Sequence, residues 1–169
     1  MFREVQVQAG HPVALKVSCD SPFSLEGIEV INVPWRLDSE LESLRSIDIG
    51  IMPLYDDDWA RGKCGFKRLL FMSLGIPVVA SAVGVNSEII QDGVNGYLAS
   101  SDQEWIEKLL MLIRDPGRRR RIGERGRKTV EQQYSYRATI PELLRVFSQV
   151  MGGAKVLLTS RPGMAREDP

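Results

Sequence analysis

Apolar and polar positions divide the chain into two regimes near residue 100. Before that point, short apolar runs rich in Val, Ile and Leu alternate with polar segments. The runs "PVALKVS" (12–18), "IEVINV" (28–33), "IDIGIMPL" (47–54), "PVVAS" (77–81) and "GYLAS" (96–100) have the length and bounding turn residues of buried strands. Pro77 stands at the first position of its run, where a missing amide proton is tolerated. Between the strands, 37–47 has helical spacing, and Ser39 with Glu42 forms a capping box. Residues 55–62, "YDDDWARG", read as a polar loop. A helix over 64–74 places Phe66, Leu69, Leu70 and Ser73 on one face and ends at Gly75 in a left-handed cap. Residues 86–92 predict one more short helix.

Beyond residue 100 the period becomes helical throughout. Ser101 and Glu104 make a second capping box, followed by Trp105, Leu109, Leu112 and Ile113 at helical spacing. Asp115-Pro116 stops one helix and starts the next, which runs to about Tyr134. A last helix, 137–151, carries Leu143, Leu144, Val146, Phe147 and Val150. The tail 152–169 shows no period and reads as flexible. Strands alternating with helices predict an α/β fold, a parallel sheet with helices on both faces, in one domain over 1–151. Ligands of such sheets bind beyond the carboxyl ends of the strands, which puts 55–62 and the helix start after it at the functional edge.

Composition narrows the function classes. Lys plus Arg and Asp plus Glu number 22 each, so no overall charge points to nucleic acid or an anionic membrane. The two cysteines, Cys19 and Cys64, are too few for a disulfide framework and read as free thiols of a reducing compartment. No apolar run reaches the roughly 18–20 residues of a membrane span, and "MFREVQVQAG" lacks the pattern of a signal peptide. A cytoplasmic location is expected. The single histidine, His11, is too few for a metal site built on several histidines; it stands beside Pro12 in a loop and is assigned no role.

The stretch "GKCGFKRLL" (62–70) poses a chemical question, because Lys63, Lys67 and Arg68 crowd a helix start, the end that disfavours cations. The first amides of a helix have no internal partner, and Gly65 allows close approach to the backbone. Free amides, the dipole and two lysines describe a site for a phosphate or diphosphate. Solvated cations paired with Asp56, Asp57 and Asp58 explain the same spacing equally well.

The segment "DIGIMPLYDDDWARGKCGFKRLLFMSLGIPVVASAVGVNSEIIQDGVNGYLAS" closely resembles the donor-binding half of group 1 glycosyltransferases with the GT-B fold. The order W-x-x-G-K-C-G-x-K, G-x-P-V-V-A-S, G-x-x-x-E-I-I and D-G-x-N-G-x-L carries the resemblance, which extends over about 12–150. It implies a Rossmann-like C-terminal domain that binds a nucleotide diphosphate sugar, with no separate cofactor and no metal. Lys63, Cys64, Gly65, Phe66, Lys67, Leu70 and Glu88 are the donor-binding positions it marks. Backbone amides around Gly65 would contact the donor phosphates. An N-terminal domain would hold the acceptor. The chain then lacks the first βα unit of its domain, with "MFREVQVQAGH" as the last turns of that unit's helix. The chain alone is expected to be inactive, and no catalytic residue is assigned. A non-catalytic nucleotide-binding remnant, or an interaction domain, is the alternative.

The resemblance is incomplete. Many members carry two glutamates that would fall at Gly62 and Leu70, and neither carboxylate is here. "SCDSPF" replaces the family's glycine-rich turn after "ALKV". Three further features have bland readings beside functional ones. Asp56–Asp58 read as a solvated turn rather than a metal site, and Trp59 either closes the loop or lies near the donor. Glu88 is either a family donor position or an ordinary acid at a helix start. "RRRR" (118–121) has no interleaved aromatics, so a solvated helix face, able to rest near acidic lipid, is favoured over nucleic-acid binding.

Overall fold

A computed structural model describes residues 1–151, and the tail predicted over 152–169 lies outside the described residues. The chain opens with helix α1 (Phe2–Ala9), then strands β1 (Ala14–Ser18) and β2 (Glu29–Val33), helix α2 (Glu40–Arg45) and strand β3 (Gly50–Met52). Two helices follow, α3 (Asp58–Arg61) and α4 (Phe66–Ser73), then β4 (Val78–Ser81), α5 (Asn86–Ile89) and β5 (Tyr97–Ala99). Helices α6 (Asp102–Arg114), α7 (Pro116–Thr129) and α8 (Tyr136–Val150) complete the described chain, with a π-helical turn, Val130–Tyr134, between the last two.

All strand pairs are parallel, as an α/β alternation requires, but they form two sheets. β1 pairs with β2 from Ala14 opposite Glu29 to Ser18 opposite Val33. β4 lies between β3 and β5, with Ile51 opposite Val79 and Ala80 opposite Leu98. The single continuous sheet expected from the sequence is therefore interrupted. A groove of about 740 Å³ is lined by Val13 and Leu15 from the β1 segment, Ile49 and Ile51 from the β3 segment, and Leu109 and Ile113. The apolar runs predicted both strands correctly, but neither run encodes a partner for its second edge.

β4 is buried along its whole length, which is why its sequence is apolar without alternation. Val79 joins Tyr97, Trp105, Leu109 and Leu112 in a core beneath α6, to which α1 adds Val5. Val78 and Ala80 face the opposite core with Met72 of α4, Ile89, Ile90 and the π-helical turn. Burial of each Val, Leu, Ile or Met side chain among these stabilises the fold by about 1.5–3 kcal/mol. The buried stripe of α4 is Arg68 and Met72, not the predicted Phe66–Ser73 face, and Phe66 is exposed.

The caps divide the predictions. Ser101 accepts from the Glu104 amide at 3.3 Å, and the Glu104 carboxylate accepts from Ser100 N at 2.7 Å. Asp115 accepts from the Arg118 amide at 2.8 Å, with Pro116 in the first turn. Ser39 makes no side-chain cap, because its backbone lies outside the extended region a cap residue adopts. Gly75 takes the predicted left-handed conformation, φ 74°. The arginine run of α7 serves the fold: Arg119 donates to Leu112 O at 2.7 Å and Ile113 O at 3.0 Å, and Arg118 and Arg121 flank Asp115. The motif D-G-V-N-G is a structural turn, with Asp92 accepting from Leu98 N at 2.8 Å and Asn95 donating to Ile89 O at 3.1 Å.

Candidate functional site

The carboxyl ends of β3 and β4 open onto three elements, α3, the start of α4 and the loop before α5. Residues 55–62, expected to be loop throughout, contain the short helix α3. Asp57 makes it possible by accepting from the Ala60 amide at 2.7 Å. Asp56 accepts from Arg61 Nε at 2.8 Å, and this bond holds the Asp56 carboxyl below its usual range. Asp58 lies 3.8 Å from the same guanidinium. The aspartate run is thus occupied by a cap and an ion pair. Among the described residues no group of three His, Cys, Asp or Glu is placed to hold a metal ion. Trp59 is 79% exposed and does not close the loop.

Gly65 caps α4 at φ 75°, a left-handed conformation that L side chains avoid. The first intrahelical acceptor is Gly65 O, which takes the Leu69 amide at 3.3 Å. Among the described residues the amides of Phe66, Lys67 and Arg68 therefore have no hydrogen-bond partner at the helix N-terminus. No side chain among the described residues caps them. Lys63 and Cys64 precede the turn and are exposed, and Phe66 is 60% exposed beside it. Leu70, one turn deeper, is half-buried and offers only packing. Glu88 is exposed on α5. That helix follows a tight turn at Gly84, whose missing side chain lets the backbone approach Arg61 Cα; an added Cβ would lie 3.0 Å away.

The three cations of this stretch have separate fates. Lys63 enters no ion pair among the described residues. Lys67 donates to Glu40 Oε1 and lies 5.9 Å from the centre of the Trp35 ring. Arg68 is buried, 1% exposed, and burial pushes its guanidinium below its ordinary pKa. One of the two sequence readings grouped Arg68 with solvated cations, which its burial excludes for this residue. Its spacing of four from Met72 was the signal that it belongs to the inward stripe. Glu40, Trp35 and Asn86 were also missed. Asn86 is buried and donates to Ser81 O at 2.7 Å, while Ser81 Oγ accepts from Leu54 N at 2.9 Å, which ties the ends of β3 and β4 together.

Glu40 titrates in a way that can be measured. Hydrogen bonds from Lys67 and from Trp35 Nε1, the latter at 2.9 Å, lower its pKa from 4.5. A carboxyl depressed in the folded state contributes stability above its unfolded pKa and loses it as pH falls through the folded value. The stability of wild type relative to Glu40→Gln is therefore expected to be constant near neutrality and to shrink below about pH 4.5. Parallel urea titrations at pH 7 and pH 3.5 check this, and a gap that stays constant contradicts it.

A family model described as glycosyl transferases group 1 matches residues 13–115. D-inositol 3-phosphate glycosyltransferase of Salinispora tropica is 28% identical over 130 residues, 75% of this chain and 26% of that protein. Sucrose synthase of Denitrovibrio acetiphilus is 37% identical over 94 residues, 52% of this chain and 12% of its own length. The chain thus spans about a quarter or less of these relatives. Among solved structures, the C-terminal domain of a glycosyl transferase group 1 family protein from Francisella tularensis is 31% identical, covers 64% of this chain and 55% of that one, and superposes with a TM-score of 0.53. Anabaena Alr3699/HepE in complex with UDP and glucose is 19% identical over 88% of this chain and 44% of that one, with a TM-score of 0.69, a likeness of fold. The parallel strands, the Gly65 turn and the family match over most of the strand-bearing region lead to one conclusion: this chain belongs to the glycosyl transferases group 1 family, in the portion that forms the C-terminal Rossmann-like domain of a GT-B fold.

Proposed function

We propose that the chain binds a nucleotide diphosphate sugar, whose diphosphate rests on the unpaired amides of Phe66, Lys67 and Arg68. Its sugar passes to an acceptor held by a separate N-terminal domain. The observation that carries this is the Gly65 turn, a left-handed glycine that opens the α4 N-terminus at the carboxyl edge of the sheet with no side-chain cap among the described residues. Lys63 supplies an exposed ammonium next to it. Lys67 can turn to the same anion only by leaving Glu40. The exposed rings of Trp59 and Phe66 offer apolar faces for the base or sugar. Structures of Alr3699/HepE with UDP-glucose and with UDP lend support through the shared fold. When the donor breaks down, amides and cations at the helix end would stabilise the departing diphosphate, with no protein nucleophile required.

Calorimetry with UDP, GDP and ADP, each against its own nucleoside, tests the reading without assuming the base. One diphosphate is expected to bind at least tenfold more tightly than its nucleoside. Lys63→Ala is expected to weaken that binding by about 1–3 kcal/mol, the value of a charge-assisted hydrogen bond. Diphosphates that bind no better than nucleosides would reject the proposal.

A further inference from the structure

Among the described residues, three buried side-chain atoms lack a hydrogen-bond partner, and two of them, Nε and Nη2, belong to Arg68. A guanidinium stays charged in proteins, and a buried charge without a partner is costly. Among the described residues no carboxylate forms an ion pair with Arg68. Tyr134 and Cys64, the titratable groups that act on it, do not hydrogen-bond to its buried nitrogens. Its position is specific. A Cβ added to Gly65 would lie 1.5 Å from Nη2, 2.2 Å from Cζ and 2.9 Å from Nε, so the guanidinium fills the space directly against the Gly65 Cα. The positive group therefore lies in contact with the turn that opens the α4 N-terminus. The third orphaned atom, Asn86 Oδ1, belongs to the same sheet edge through the Asn86–Ser81 bond.

We propose that Arg68 is the buried counter-charge of the anionic phosphoryl group held at the α4 N-terminus. The inference rests on the diphosphate reading above and adds to it a positioning cation beneath the turn, acting through the Gly65 backbone. Without ligand, the charge is a liability to the fold. With an anion on the turn, it is offset. Binding and folding are thereby coupled, since an anion that binds the folded state alone stabilises it. A purely structural arginine would show the opposite sign, because its removal would weaken the empty protein.

The test compares the 169-residue chain with Arg68→Met and Arg68→Lys. Thermal unfolding is followed with and without inorganic pyrophosphate, and calorimetry uses pyrophosphate, UDP and uridine. Arg68→Met is expected to unfold at a higher temperature than wild type without ligand, yet to bind pyrophosphate at least tenfold more weakly, with uridine unaffected. Arg68→Lys is expected to retain more pyrophosphate affinity than Arg68→Met. Wild type that binds pyrophosphate while Arg68→Met matches it within twofold would overturn this assignment and leave the diphosphate reading standing. Arg68→Met that unfolds earlier and loses uridine and pyrophosphate alike would also overturn it, as a structural role. Wild type that binds neither pyrophosphate nor UDP would remove the diphosphate reading and this inference together.

Discussion

Gly65→Ala is expected to lower the unfolding free energy by about 2–4 kcal/mol, from a left-handed non-glycine residue and an overpacked contact, and to cut nucleoside diphosphate affinity at least tenfold. Both effects have one origin. The backbone at Gly65 has φ 75°, and the new methyl would overlap the Arg68 guanidinium, 1.5 Å from Nη2. Relief requires either that the turn moves, which misaims the amides of residues 66–68, or that a buried arginine leaves its place. Urea unfolding reads the first effect and calorimetry the second. The clash can also be isolated. In an Arg68→Met background the flexible thioether gives way, so the penalty of Gly65→Ala is expected to shrink toward the backbone cost alone, a coupling a double-mutant cycle measures. A Gly65→Ala protein as stable as wild type would contradict the packing described for this turn.

Gly123→Ala is expected to have a comparable effect far from the site, a loss of about 3 kcal/mol, at the upper end of ordinary overpacking. Gly123 is a helical residue of α7, yet a Cβ there would lie 1.9 Å from Gly75 O and 2.8 Å from Gly75 C. Both obstacles are backbone. Gly75 holds a left-handed turn between α4 and β4, so it cannot retreat without dragging a strand that is buried along its length. The melting temperature should fall by about 6–12 °C, given roughly 2–4 °C per kcal/mol for a chain of this size. Gly117→Ala serves as the control. Its Cβ would meet only the side-chain ends of Asp115 and Arg121, at 3.2 and 3.3 Å, and alanine is the better helix former. Thermal unfolding of the two variants separates close helix packing from a general intolerance of substitution in α7. Equal melting temperatures would deny the close approach.

Much of this architecture was legible because apolar runs and caps report local physics. The run Val78–Ala80 is a strand because a strand buried on both faces cannot alternate. Asp115-Pro116 marks a helix junction because the carboxylate caps and the proline needs no amide partner. The shortfalls come from features no local pattern carries. α3 hides in a polar stretch, since four residues show no period and only the Asp57 cap announces them. Ser39 has the composition of a cap without the backbone of one. The division into two sheets depends on whether β1 and β3 touch, a long-range fact that neither strand encodes. Gly65 and its flanking lysines were identified by type and spacing, while the separate environments of Lys67 and Arg68 depend on Glu40 and on the inward stripe of α4.

The central claim is that the amides following Gly65 receive phosphoryl oxygens, and amide-resolved NMR of the 15N-labelled chain tests it most directly. Titration with UDP is compared with titration by uridine. The account predicts that UDP shifts the Phe66, Lys67 and Arg68 amide resonances downfield, as new hydrogen bonds to anionic oxygens do, and that uridine leaves them in place. Saturable UDP binding whose shifts lie elsewhere, with those three amides unmoved, would contradict it.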